Sequence, residues 1–223
     1  MAQTISRRHL VFGAALLAMP SLARGEEPFD LEAADLGFDP ALLPPAESEI
    51  DFDIPAVDMS DIPGEFHRQM VDFDGAEYAG TIVVDPDARH LYLVRESGQA
   101  LRYGVGVGRA GFEWSGDAVI GMKRRWPRWL PPREMVARDK NAAKWANGQP
   151  GGPDNPLGAR ALYLFANGED TLYRIHGTNA PKSIGKALSS GCIRMLNEDV
   201  ADLYRRTIKG ARVVVRPSEA QLG

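Results

Sequence analysis

Cysteine is almost missing from this sequence: its 223 residues contain one, Cys192. That rules out an internal disulfide framework and a Cys-rich zinc site. Histidine is scarce as well. The four present, His9, His67, His90 and His176, form no HExxH pattern and no paired-carboxylate cluster, so neither a metal nor any other cofactor is expected. Internal repeats are lacking. The glycines of Gly106-Val107-Gly108-Arg109 are followed by no GK[ST] and no helical pattern, which excludes a phosphate loop. The apolar run Leu10 to Met19 is about half the roughly 20 residues of a spanning helix, which argues against a stable membrane anchor.

That same run has another use. Ser6-Arg7-Arg8-His9-Leu10 precedes it and Ser21-Leu22-Ala23 supplies small residues for cleavage, so residues 1–23 are expected to be a signal peptide. Paired arginines after a serine resemble a twin-arginine signal, although ordinary Sec signals also carry adjacent arginines, and both routes stay open.

Charge is divided unevenly along the chain. Residues 26–77 hold sixteen Asp or Glu against Arg68, a net −15, whereas residues 78–223 hold fourteen acids and twenty-two Lys or Arg, a net +8. Prolines 28, 40, 44, 45, 55 and 63 break any regular period in the acidic stretch. Residues 24–77 thus read as an arm with two possible behaviours. One is a solvated spacer. The other is an acidic strap lying on a basic domain, anchored by Phe29, Leu31, Phe38, Leu42, Leu43, Ile50 and Phe52.

From Tyr78 the pattern becomes mainly β. Residues 79–85 and 89–94 read as a hairpin turning at Asp85-Pro86-Asp87, with a third strand over 100–107. Residues 112–160 read as a long irregular region in which Trp114, Trp126, Trp129 and Trp145 alternate with prolines. Eight Lys or Arg between Met122 and Trp145 face only Glu134 and Asp139. Such a loop either packs its tryptophans on the sheet or forms a lid for an anionic, sugar-containing polymer. Binding of nucleic acid is not expected of an exported protein. Residues 158–165 and 171–175 read as strands joined at Asn167-Gly168, which would leave His176 at a strand end. Asn197 is the expected N-cap of a helix running from Glu198 to about Ile208 and stopped by Gly210. Val200, Leu203, Tyr204 and Ile208 would share its buried face. Arg212 to Arg216 reads as a core strand, and residues 218–223 as a tail.

The chemistry concentrates in residues 173–199, which hold both Cys192 and His176. A thiol attacks a carbonyl only as thiolate, so it needs a neighbour that takes or balances its proton, and His176 is the candidate. His176-Gly177-Thr178, Ile184-Gly185, Ser189-Ser190-Gly191-Cys192-Ile193-Arg194-Met195 and Asp199 together resemble the signature of the YkuD-type L,D-transpeptidases, the ErfK/YbiS group; Asn155-Pro156-Leu157-Gly158 resembles a further segment of that family. The likeness covers residues 78–217 and does not reach the acidic arm.

The resemblance implies a mainly β domain, a sandwich-like or barrel-like sheet with a few short helices, working on peptidoglycan stem peptides in the periplasm. It implies Cys192 as nucleophile, His176 as base and acid, and the Gly177 carbonyl as the group orienting the ring. Backbone N–H groups of Gly191 and Cys192 are candidate oxyanion donors. Arg194 either supports the thiolate or forms a structural ion pair with Asp199. Ser190 stands where His or Arg often precedes the Gly-Cys pair, which removes one positive neighbour of the thiolate. The expected substrate-binding set is Ser189, Ser190, Thr178, Asn155, Trp114 and Trp126. With an amine acceptor the product would be a 3-3 cross-link or a protein tied to the wall, outer-membrane proteins and lipoproteins being possible acceptors. With water it would be L,D-carboxypeptidase trimming, and a catalytically silent wall-binding module is a third outcome.

Overall fold

Short β-branched runs build the centre of the protein. The computed structural model describes residues 51–108, 114–189 and 191–222; the expected signal peptide and the first half of the acidic arm lie outside them. Nine strands form one sheet: β1 (Gln69–Asp72), β2 (Ile82–Asp85), β3 (His90–Val94), β4 (Gln99–Gly104), β6 (Gly116–Arg125), β7 (Arg160–Ala166), β8 (Glu169–His176), β10 (Ile193–Arg194) and β11 (Arg212–Val215). Their order across the sheet is β1-β4-β3-β2-β11-β6-β7-β8-β10, and β5 (Val107–Gly108) pairs separately with β9 (Ala187–Ser189). Among the described residues four short α-helices accompany the sheet: α1 (Arg133–Arg138), α2 (Lys140–Ala143), α3 (Asn197–Arg206) and α4 (Glu219–Leu222). None of the described helices is long and apolar enough to cross a membrane.

The sheet curls without closing. Gly106, two residues past β4, exchanges backbone hydrogen bonds of 2.9 and 2.8 Å with Arg194 on the far edge strand β10. This is an isolated bridge and not a ladder. The inner face buries Ile82, Val84, Leu91, Leu93, Ile120, Leu162, Leu164, Ile175, Ile193 and Val213 beneath Val200 and Leu203 of α3. β11 lies parallel to β2 and antiparallel to β6, at the middle of the sheet.

Several expectations are met. The hairpin of β2 and β3 turns at Asp85-Pro86-Asp87, and β7 and β8 turn through Asn167 and Gly168, both at positive φ. Other expectations are corrected. The stretch expected to be irregular from 112 contains β6, ten residues long and central. Its Lys123 is half-buried rather than solvated, because Nζ donates to the carbonyls of Tyr204 (2.7 Å) and Thr207 (2.6 Å) at the negative end of α3. Ile208 falls outside that helix and is 74% exposed.

The described part of the acidic arm lies on the domain. β1 extends the sheet edge beside β4. Asp51 accepts the indole N–H of Trp126 at 2.9 Å and pairs with Arg125 (3.3 Å) and Arg160 (3.1 Å), while Phe52 meets the Trp126 ring edge-on. Phe66 packs with Ile184 and Leu196. Arg68 reaches Asp199 and Asp202 on α3 at 3.5 and 3.3 Å. Of the arm's expected apolar anchors only Phe52 belongs to the described residues.

Candidate active site

Two strands bring the motif residues together. β8 ends on His176 and β10 begins just after Cys192; they pair in parallel, with Ile193 opposite Ile175 and Arg194 opposite His176. Successive side chains of a strand point to opposite faces. Ile175, Ile193 and Met195 enter the core, fully buried, so Arg174, His176, Cys192 and Arg194 share the other face. In this block of four, Arg174 is beside Cys192 and His176 beside Arg194. Sulfur and imidazole are diagonal neighbours, and Cα atoms so placed are about 7–8 Å apart, within the reach of the two side chains.

The imidazole is oriented by the backbone. Its Nδ1 lies 2.6 Å from the carbonyl oxygen of Gly177. A carbonyl only accepts, so Nδ1 carries the proton and Nε2 is the basic nitrogen. His176 is buried, and that burial, helped by the charges of Arg194 and Arg174, pushes its pKa down to about 4 against the opposing Gly177 bond.

Cys192 is half-buried. Desolvation raises its thiol pKa; the Arg174 charge, an Arg174 backbone N–H directed at the sulfur, and the Arg194 charge all work the other way, while Asp170 adds to the rise. At neutral pH the pair is therefore a neutral thiol beside a neutral base. Arg174 is itself held firmly. Asp170 takes it in a two-pronged ion pair with both contacts at 2.7 Å, and its guanidinium lies 4.2 Å above the Tyr163 ring. Gly191 sits at φ +126°, where a Cβ would come within 3.3 Å of the Tyr173 ring.

The other candidates separate. Arg194 forms no ion pair with Asp199; the partner of Asp199 is Arg68 of the arm. Trp114, half-buried, lies against Tyr173 with centroids 5.7 Å apart and so borders the Gly191 loop. Trp126 does not: it is fully buried beneath Asp51 and Phe52, so its face is not offered to a ligand. Asn155 is also fully buried, donating to the carbonyls of Gln149 and Pro150 and accepting from Leu157 N–H, which makes it a loop brace. Thr178 is buried, its hydroxyl oxygen accepting from Ala180 N–H. Ser189 ends β9, and Ser190 lies outside the described residues.

Asn197 is not the N-cap. It is the first residue of α3, and its Oδ1 accepts the N–H groups of Ala159 (2.9 Å) and Thr178 (3.1 Å), tying the helix to the start of β7 and the chain just past His176 at the end of β8. His67 and His90 bond arm carbonyls, Ile62 at 2.8 Å and Glu65 at 3.0 Å; His90 is buried. Arg174 was legible only as a strand residue two positions before His176, and therefore on its face.

Residues 79–215 match YkuD, the L,D-transpeptidase catalytic domain. The chain is 32% identical over 141 residues to the probable L,D-transpeptidase YbiS of Escherichia coli K12, covering 61% of this chain and 44% of that one. It is 34% identical over 142 residues to the probable L,D-transpeptidase ErfK/SrfK of the same strain, covering 61% and 43%. The chain thus spans less than half the length of these two relatives. A solved structure from Brucella melitensis, described as a probable carnitine operon oxidoreductase, is 51% identical over 67% of this chain and 93% of that chain, with a TM-score of 0.48. That description concerns the Brucella protein.

Proposed function

The chain belongs to the YkuD family of L,D-transpeptidase catalytic domains, and from that premise we propose that it is a cysteine-dependent acyltransferase acting on peptidoglycan stem peptides. The observation that carries this reading is the parallel pairing of β8 with β10, which sets Cys192 and His176 on one face with Nε2 as the basic nitrogen.

The thiol of Cys192 attacks the carbonyl of the third residue of a tetrapeptide stem, and Nε2 of His176 takes its proton as the S–C bond forms. The C–N bond to the terminal D-alanine then breaks, and the imidazolium returns the proton to the departing amine. A thioester remains on Cys192. An acceptor amine attacks it, His176 removes that proton, and the sulfur leaves and is reprotonated. Gly177 keeps the tautomer through both halves, and Arg174 and Arg194 stabilise negative charge on sulfur. Acceptors are a second diaminopimelate residue, giving a 3-3 cross-link, or a wall-attached protein. The proposed substrate and the signal pattern of residues 1–23 favour the periplasm as the place of the reaction.

Incubation of the purified protein with sacculi rich in tetrapeptides, followed by muropeptide separation, tests this. Cross-linked dimers are expected, tripeptides alone would mean that water is the acceptor, and unchanged muropeptides would refute acyl transfer. A Cys192→Ala protein that still acted would refute the mechanism.

A further inference from the structure

Among the arginines on the face that carries His176, two have no counter-ion among the described residues. Continuing the register through β7 into β6 gives one row of Arg124, Ala161, His176 and Arg194, and a second of Met122, Tyr163, Arg174 and Cys192. Asp170 neutralises Arg174. Arg194 lies two residues after Cys192, on the same face. Arg124, at the other end of its row, makes no hydrogen bond or ion pair among the described residues, and its Nε is wholly enclosed with no partner.

An enclosed, unsatisfied donor is costly, about 1–3 kcal/mol, and arginine cannot relieve that by losing its proton. The Arg124 charge also acts on Tyr163, so its head group lies over this face of the sheet. In that row Ala161, fully buried and with a side chain ending at Cβ, separates Arg124 from His176.

Direction assigns the ligand. A leaving amine that takes its proton from His176 must sit at the imidazole, so the departing residue extends beyond His176 as seen from Cys192. The next cation in that direction is Arg124. We propose that Arg124 binds the terminal carboxylate of the residue that leaves, so that the site reads a free chain end and cleaves only the last peptide bond of the donor. Guanidinium and carboxylate match as a two-pronged pair, and an amide at the same place would accept less well and leave a donor facing the guanidinium. This inference rests on the proposed acyl transfer at Cys192.

The test uses full-length Cys192→Ala protein, which holds a donor without consuming it, and two synthetic tetrapeptides that end in D-alanine, one with a free carboxylate and one with a carboxamide. Calorimetry should show the acid bound about tenfold more tightly, as expected for loss of one charge-assisted bond. Adding Arg124→Gln should bring the two affinities within about twofold while leaving that of the amide nearly unchanged, and Arg124→Lys should fall between. Equal affinities in the parent, a preference that persists in Arg124→Gln, or no binding of either peptide would overturn the proposal. Turnover by the unmutated protein separates the two ideas: equal release from both peptides retains acyl transfer and removes Arg124, whereas release from neither removes both.

Discussion

The ring nitrogen Nδ1 of His176 and the carbonyl oxygen of Gly177, its neighbour in sequence, are 2.6 Å apart. That contact fixes the tautomer, and the surrounding burial fixes the charge. With its pKa held at about 4, His176 stays neutral and able to accept a proton far below the range of an ordinary imidazole, about 6.5. The rate of D-alanine release should therefore hold steady as pH falls through 6.5 and drop only as it passes about 4. A half-point near 6.5 in the pH dependence of kcat/KM would contradict the buried, carbonyl-bound ring.

Arg174 is the strongest influence lowering the Cys192 pKa. Replacing it with methionine removes the charge, keeps the backbone N–H that faces the sulfur, and leaves Asp170 without its partner. The thiol pKa should rise further, and one unit means about tenfold less thiolate at neutral pH. Alkylation of Cys192 by iodoacetamide, followed by intact mass, should slow by about that factor. An unchanged rate would assign the control of the sulfur to Arg194 instead.

Asn197→Ala removes the acceptor shared by Ala159 and Thr178 N–H. Each orphaned buried donor costs about 1–3 kcal/mol, so the urea midpoint should fall by the equivalent of about 2–6 kcal/mol of stability with the slope unchanged. Asn197→Asp retains an acceptor oxygen and should lose less. If alanine were tolerated within about 0.5 kcal/mol, the ranking of this side chain above an ordinary surface position would be wrong.

Asp199 carries a pH dependence of opposite sign to a typical carboxylate. Burial raises its pKa from 3.8 to about 6 despite Arg68. The folded state binds the proton more tightly, so the stability it contributes is complete below 3.8 and is lost as pH rises through about 6. Asp199→Asn should leave stability unchanged below pH 4 and raise it by about 3 kcal/mol above pH 7. Denaturation at the two pH values checks this, and an equal effect at both would mean that Arg68 keeps the carboxylate ionised.

Local chemistry was enough for part of this protein. The turn at Asn167-Gly168, the β2–β3 hairpin, the strand over 212–215 and the linked His176 and Cys192 motif all depend on residues close in sequence, whose backbone preferences and spacing act without the rest of the chain. β6 was hidden because lysine and arginine alternating among tryptophan and proline look solvated, and only the carbonyls at the end of α3 give Lys123 a reason to lie down. Trp126 looked like a ligand platform until Asp51 and Phe52, about 75 residues earlier, were found closing over it. Long-range contacts decided the remainder: which groups stand beside the sulfur, that Arg124 shares their face, and which carboxylate meets Arg68. Those outcomes follow from register, and register depends on contacts between segments that no local pattern links.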